Sequence, residues 1–537
     1  MKKRFSASTL VILCCLALFL GMQLNSVISG DNIFEQLSKF KDVLSYTEKY
    51  YVDDVDTPKL VESAITGLLG NLDPHSVYIP ASHLPKIQED FFGSFDGIGV
   101  EFDVQTLKDT ILVVAPIAGG PSEALGIMAG DRIVRINDTS CIGIKQEDVP
   151  KKLRGPKGTH VKVSIARTGE KNLIDYDIIR DKIPLYSVDT YYMVDKEVGY
   201  VSINRFSQTT RDEFVDALSK LKAQGMKRLI LDLRENPGGY LEQAYRISDE
   251  LFPKGKKIVY TVGRRIDFNE EYVSSGGGKF TDLPLIILVN HGSASASEIV
   301  SGAVQDWDRG LIVGETTFGK GLVQRQFELL DKSAFRLTIA RYYTPSGRLI
   351  QRSYEGKDRT TYRDAASRQN EEEGDNVEHN EESDSSRPVF KTAGGRKVYG
   401  GGGVTPDYII KPNRYDSLTI EFLAKRVFYE FANTYVEVHG KELRSEYGKD
   451  SRKYHKEFNI TDEMLNQFKQ LAGKKGLTVI DKRFEKDLHL IKTRMKADIG
   501  RPIWGNEAWS MIMRSEDPQF QRAITLFPEA EKIARLR

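Results

Sequence analysis

Cysteine is almost missing from this chain: there are 3 in 537 residues, at Cys14, Cys15 and Cys141. The first two fall inside an apolar N-terminal run and the third stands alone. Neither a disulfide framework nor a zinc ligand set can be assembled from them. No metal is expected, and no cofactor is called for. A surplus of charge is missing too. The chain has 77 Lys and Arg against 76 Asp and Glu, a net +1. That removes the electrostatic case for nucleic acid as a partner. The Gly-x-x-x-x-Gly-Lys-Ser/Thr order of a phosphate loop is also absent, although Gly319-Lys320-Gly321 places a lysine between glycines. Hydrophobic residues make up 40% of the chain, enough for packed cores, and the length suits three or four domains.

The N-terminus has the pattern of an export signal. Lys2-Lys3-Arg4 precedes a near-continuous apolar run from Leu10 to Leu20. That run is long for a signal core and short for a membrane span. Residues 1–30 therefore read as a signal sequence or an N-terminal membrane anchor, with Val27 and Ser29 as small residues before a cleavage point. The residues preceding Cys14 and Cys15 do not make a good lipoprotein signal. Residues 31–90 read as helical, with Ile33, Phe34, Leu37, Phe40, Val43 and Leu44 at helical spacing. Residues 353–387 are rich in Glu and Asp and poor in apolar side chains, so a disordered acidic insertion is expected there. Residues 413–537 read as a charged helical region with Ile420, Leu423, Val427 and Phe431 as one stripe. Its expected role is packing or oligomerisation rather than chemistry.

Three short segments carry the chemistry. The apolar run Leu285–Val289 reads as a buried strand and is followed by Gly292-Ser293-Ala294-Ser295-Ala296-Ser297-Glu298, then by helical spacing from Ala296 to Trp307. A serine at a strand-to-helix turn meets free N–H groups that favour developing negative charge. Spacing does not choose among Ser293, Ser295 and Ser297. The second segment, Thr317-Phe318-Gly319-Lys320-Gly321, offers a lysine whose glycine neighbours do not hold it away from a packed site. A serine hydroxyl is a poor nucleophile until a base takes its proton, and a desolvated lysine can be that base. The third, Asn236-Pro237-Gly238-Gly239-Tyr240-Leu241, follows the apolar run at Arg228–Leu233 and can aim backbone N–H groups at an oxyanion. His291 offers a rival base, but the backbone turns between it and the serines.

Upstream, Phe95–Phe102 alternates after a glycine turn, Ile111–Val114 and Val161–Ile165 read as strands, and Pro121–Ala129 as a short helix. This pattern looks like a PDZ domain over about residues 91–180. Such domains add an extended peptide to a sheet edge and capture its terminal carboxylate on backbone N–H groups.

With these segments in order, the chain resembles the C-terminal processing peptidases, or tail-specific proteases, from about Phe34 to Lys411. The shared motifs include Leu72-Asp73-Pro74-His75-Ser76, Gly97-Ile98-Gly99-Val100, Asn236–Leu241, Ser293–Glu298, Phe318–Gln324 and Gly403-Val404-Thr405-Pro406-Asp407. The resemblance implies Ser295 as nucleophile and Lys320 as general base. It implies Gln324 as the residue orienting the lysine, one helical turn on if that stretch is helical. Gly239 and Ala296 become the oxyanion donors. Gly97, Ile98, Gly99 and Val100 become the carboxylate-binding turn, with Arg154 a candidate link between bound peptide and protease core. His75 takes a structural role. The implied fold is α/β: a crotonase-like (ClpP-like) βαβ protease core at 181–412, the PDZ domain, and flanking helical regions.

The expected activity is serine endopeptidase cleavage of exported proteins near their C-termini. Expected partners are protein and peptide substrates with free C-termini, a homo-oligomer and an inner-membrane tether being open alternatives. The expected location is the periplasm, soluble or anchored. The rival is a PDZ scaffold that has lost turnover, which the intact Ser295, Lys320 and Gln324 set argues against.

Overall fold

The computed structural model describes residues 33–104, 110–372, 377–378 and 387–535. The expected signal or anchor segment lies outside them. Among the described residues, no helix is long and apolar enough to cross a membrane.

Seven strands form the central sheet, in the order Thr190–Met193, Val198–Ser202, Arg228–Asp232, Leu285–Val289, Leu311–Gly314, Tyr408–Ile409 and Val377–Glu378. The inner pairings are parallel and the two outermost antiparallel. Its central strands are continuous apolar runs because both faces are covered. Leu229, Leu231 and Ile287 pack toward the helices Thr210–Ala223, Leu241–Leu251 and Ala296–Asp306. Ile230, Ile286 and Leu288 pack on the other face against Phe520, Ala523, Phe527 and Ala530. The C-terminal tail thus closes the second face of the central sheet.

A second sheet is built on the long strand Ala334–Tyr343, which pairs with Val77–Ile79, Leu322–Glu328 and Lys257–Gly263. The PDZ-like unit has its own sheet, Val100–Asp103, Ile111–Pro116, Arg132–Ile136, His160–Ala166 and Ile174–Ile179, and its own core. The chain enters and leaves it through a ribbon in which Ser94–Gly97 pairs with Asp181–Pro184. The helix expected over Pro121–Ala129 spans only Pro121–Ala124, because Gly126 turns the chain at φ 79°.

The flanking regions differ from expectation in three places. The helix Ile33–Tyr50 forms as its spacing predicts, yet none of its residues is buried. The stripe Ile420–Phe431 is split: one helix ends at Ala424, Arg426 adopts φ 56°, and a new helix starts at Val427. Val427 and Phe431 enter the C-terminal core, while Ile420 is left 53% exposed. Within residues 353–387, expected to be disordered, Arg359–Glu372 is helical. Its anchor is Tyr362, whose ring meets those of His75 and Phe318 and whose hydroxyl accepts from Gln351 at 2.9 Å. This helix carries as many basic as acidic side chains, and most of the acidic stretch that follows it, at 373–376 and 379–386, lies outside the described residues.

Candidate active site

Ser295 stands between the strand Leu285–Val289 and the helix Ala296–Asp306, at φ 56° and ψ −110°. A residue with a Cβ avoids positive φ unless its surroundings impose it, and such strain gathers at functional turns. The three candidate serines are now distinct. Ser293 is fully buried, and its hydroxyl donates to the carbonyl of Leu233 at 2.7 Å. Ser297 is fully buried and donates to the carbonyl of Asn236 at 2.9 Å. Ser295 lines a cavity of about 1050 Å³ that Lys320 also lines.

Lys320 reaches that cavity from the turn after Leu311–Gly314. Among the described residues its ammonium has no hydrogen bond and no ion pair. Burial holds its pKa down at about 8, and the Arg336 guanidinium adds to this while Glu298 and Asp73 oppose it. A lysine so placed is neutral in useful amounts near physiological pH.

One buried carboxylate joins the two turns. Glu298 accepts the N–H groups of Ser295 at 2.8 Å and Lys320 at 2.9 Å on Oε2. Its Oε1 accepts the N–H of Gly319 at 2.8 Å and the hydroxyl of Thr317 at 2.5 Å. Burial pushes its pKa up to about 7 in spite of these donors. Tyr342 supplies a second tie: its hydroxyl lies 2.6 Å from the carbonyl of Lys320 and 3.0 Å from that of Ser295.

The glycine turn completes the wall. A Cβ on Gly239 would lie 2.1 Å from the carbonyl oxygen of Phe206, and one on Gly238 would lie 2.8 Å from Cβ of Ser295. Only glycine permits either approach. Phe206 donates to the carbonyl of Gly238 at 3.0 Å, and Tyr240 to that of Phe206 at 2.9 Å. The N–H groups of Gly239 and Ala296 form no hydrogen bond among the described residues. The turn is anchored below by charge. Arg234 pairs with Asp232 at 2.6 Å and with Asp517 at 2.8 Å. Arg514 pairs with Asp517 at 2.9 Å and Asp232 at 3.3 Å. Burial works against ionising Asp232, but Arg234 and Arg514 overcome it and hold its carboxyl well below the usual range. Half of this cluster comes from the C-terminal tail.

The remaining expected residues fall as follows. Gln324 lines the cavity, but from the strand Leu322–Glu328, not from a helix. Backbone pairing with Ala334–Tyr343 fixes that stretch as a strand, with a bulge between Val323 and Gln324. Nε2 of Gln324 is buried without an acceptor. His291 sits 3.8 Å from Glu315 and does not line the cavity. His75 bonds the hydroxyl of Tyr362 at 3.1 Å, and burial with the nearby Lys320 charge holds its pKa down at about 4. In the PDZ-like unit, Ile98 is buried and Gly99 has φ 76°. The N–H groups of Ile98 and Gly99 form no hydrogen bond among the described residues. The strand Val100–Asp103 lies at a sheet edge. Arg154 pairs with Glu89 at 2.5 Å and covers the ring of Phe95 at 4.2 Å. It thus bridges the PDZ-like unit and the helix Leu84–Phe92, which lines the cavity.

Glu298, Tyr342, Arg336 and Asp517 were missed as site residues. Glu298 had a signal, because Ser295-x-x-Glu298 has the spacing of a capping box. The other three come from distant strands and helices, and no local pattern marks them.

The chain was compared with known proteins. Peptidase family S41 matches residues 197–358, a PDZ domain matches 112–167, and the N-terminal domain of the activating protease CtpB matches 22–82. A family of unknown function matches 418–505. The carboxy-terminal-processing protease of Bartonella bacilliformis is 38% identical over 324 residues, 60% of this chain and 74% of that protein. The carboxy-terminal processing protease CtpA of Bacillus subtilis is 37% identical over 330 residues, 61% of this chain and 68% of that protein. A solved photosystem II D1 C-terminal processing protease is 30% identical, covering 58% of this chain and 89% of that one with a TM-score of 0.33. On the breadth of the Bartonella match, the chain belongs to the carboxy-terminal processing proteases of peptidase family S41, as a serine protease that carries a PDZ domain.

Proposed function

We propose that this protease works through a Ser295–Lys320 dyad. Neutral Lys320 takes the proton of the Ser295 hydroxyl as Oγ attacks the scissile carbonyl. The free N–H groups of Gly239 and Ala296 bind the resulting oxyanion. Lys320 then gives its proton to the leaving amine, the C–N bond breaks, and an acyl-enzyme remains on Ser295. A water molecule deprotonated by Lys320 hydrolyses it. Gln324 orients the lysine from the same cavity wall: its amide oxygen accepts an N–H of Lys320, which leaves the single amine lone pair for the Ser295 proton. The observation that carries this reading is an unpaired, desolvated lysine facing a strained serine across one cavity. Ser295→Ala and Lys320→Ala should each abolish casein cleavage with folding intact, and His291→Ala should keep most of it. Activity in Lys320→Ala together with its loss in His291→Ala would reverse the assignment.

The PDZ domain, at about residues 91–180, reads substrate ends. The Gly97–Val100 turn presents two N–H groups without acceptors beside an edge strand, the arrangement that a terminal carboxylate and an added peptide strand require. The core at 181–412 has the crotonase-like plan, and residues 31–90 and 413–537 flank it as helical regions. Substrates are exported proteins, and the site of action is the periplasm, soluble or tethered by residues 1–30. The basic and apolar pattern from Lys2 to Leu20 supports export. Fractionation of cells making the full chain tests this, since recovery in the cytoplasm contradicts it.

A further inference from the structure

Arg336 is the feature of the cavity that the dyad does not use. It lies on the strand Ala334–Tyr343, opposite Gln326 on one side and Val77 on the other. It lines the same cavity as Ser295 and Lys320. Its guanidinium sits 4.8 Å from the ring centre of Phe91. Stacking of this kind holds the plane of the group and leaves its N–H edge free to donate. Among the described residues, Arg336 has no carboxylate and no hydrogen-bond acceptor.

That vacancy is not for want of carboxylates. Four of them line the cavity, and each has another partner. Asp90 meets Arg205 at 3.4 Å, Glu242 meets Arg246 at 2.8 Å and Glu328 accepts from Gln88 at 3.3 Å. Glu270 accepts from the hydroxyl of Tyr272. Arg336 and Lys320 are left as two unpaired cations in one partly buried space. An unpaired, desolvated charge is unfavourable, and burial holds the pKa of Arg336 below its usual value. The ring of Phe91 offsets only part of this. A planar anion docking on the guanidinium edge meets its geometry in a way that the ring cannot.

We propose that Arg336 is a substrate-binding residue that pairs with a carboxylate of the peptide being cut. This rests on the reading of Ser295 and Lys320 as the reacting groups, because it places that carboxylate beside the scissile bond. Two sources share the chemistry: the α-carboxylate of the chain end and an acidic side chain. Cutting near a terminus brings the first within reach, since about three extended residues span about 10 Å.

The test uses the full-length enzyme and two matched pairs of peptides. One pair differs only in a free against an amidated C-terminus. The other differs only in Glu against Gln near the scissile bond. For at least one pair the wild type should show about a tenfold or greater advantage in kcat/KM for the carboxylate form, as expected for a charge-assisted hydrogen bond. In Arg336→Gln that ratio should fall to about 2 or less, and in Arg336→Lys, which keeps the charge and loses the fork, it should lie between. Each ratio is taken within one variant, so any change in Lys320 cancels. The pair that responds names the source.

A carboxylate read only by the Gly97–Val100 turn leaves the amidation ratio in Arg336→Gln at its wild-type value. That result together with a Glu-against-Gln ratio that also stays at its wild-type value, or the absence of any carboxylate preference in the wild type, overturns the proposal. A small neutral fluorophosphonate reports on the dyad separately. If Arg336→Gln no longer lets it label Ser295, Arg336→Lys decides, and an unchanged ratio there overturns the proposal. If Ser295 goes unlabelled in the wild type while the ratio still collapses in Arg336→Gln, the dyad reading fails and the carboxylate site stands.

Discussion

Glu298 accepts the backbone N–H of Lys320 at 2.9 Å through the same oxygen that accepts the N–H of Ser295 at 2.8 Å. The two turns that carry the proposed dyad are therefore set by one buried carboxylate, and the distance between them depends on it. Glu298→Gln replaces one oxygen by an amide that donates. At Oε2 the amide would face two N–H donors; at Oε1 it would face an N–H and a hydroxyl. A shift of about 1 Å in either turn is enough to lower kcat about 100-fold. The expectation is that loss in kcat with KM little changed, measured on a short peptide. Wild-type kcat in a folded Glu298→Gln enzyme removes Glu298 from the positioning role.

The pH profile follows from Lys320. Its folded pKa of about 8 means that the protonated, inactive form dominates below that pH and the neutral base above it. The rate should rise with pH through about 8 and then level. Arg336 lowers this pKa, while Glu298 and Asp73 raise it. His75, with its own pKa at about 4, is neutral across the window. Arg336→Gln removes the neighbouring cation and should move the midpoint to higher pH. A rate that falls between pH 7 and 9 contradicts a lysine base.

Asp517 tests the reach of the C-terminal tail. It holds Arg234 at 2.8 Å beneath the glycine turn, and both side chains are 10% exposed. Breaking one partner of a buried pair costs about 3–5 kcal/mol, part of which the remaining Asp232 contact to Arg234 recovers. Asp517→Ala should lower Tm by several degrees and reduce kcat more than it changes KM. An unchanged Tm and unchanged kcat would mean that the tail covers the sheet without supporting the turn.

Gly238→Ala tests the contact between that turn and the serine. The new methyl group would lie 2.7 Å from the carbonyl oxygen of Ala294 and 2.8 Å from Cβ of Ser295, at φ 97°. No rotamer of alanine relieves this, so the turn must move away from Ser295. Peptide turnover should fall at least about 100-fold. Near-normal turnover in this variant contradicts the contact.

Local sequence carried much of the architecture because the chemistry is concentrated in turns that follow apolar strands. Leu285–Val289 and Arg228–Asp232 were legible as strands, and Ala296–Asp306 as a helix, from periodicity alone. Among Ser293, Ser295 and Ser297, spacing is silent, because what separates them is which hydroxyls are bound to backbone carbonyls. Gln324 was named from the family resemblance, one helical turn past Lys320 if that stretch were helical, but cross-strand pairing imposes a strand there. Arg336, Tyr342 and Asp517 reach the site through tertiary pairing and carry no local mark. Tyr362 was hidden for a different reason: it is a lone aromatic in a charged, apolar-poor stretch, and the rings of His75 and Phe318 that it meets come from distant segments.

The most direct measurement is mass spectrometry of the full-length enzyme after reaction with a fluorophosphonate. It is run on the wild type and on Ser295→Ala, Lys320→Ala and His291→Ala. The prediction is one adduct on Ser295 in the wild type and in His291→Ala, with none in Ser295→Ala or Lys320→Ala. An adduct on Ser293 or Ser297, or labelling that survives loss of Lys320 and vanishes with His291, contradicts the Ser295–Lys320 mechanism.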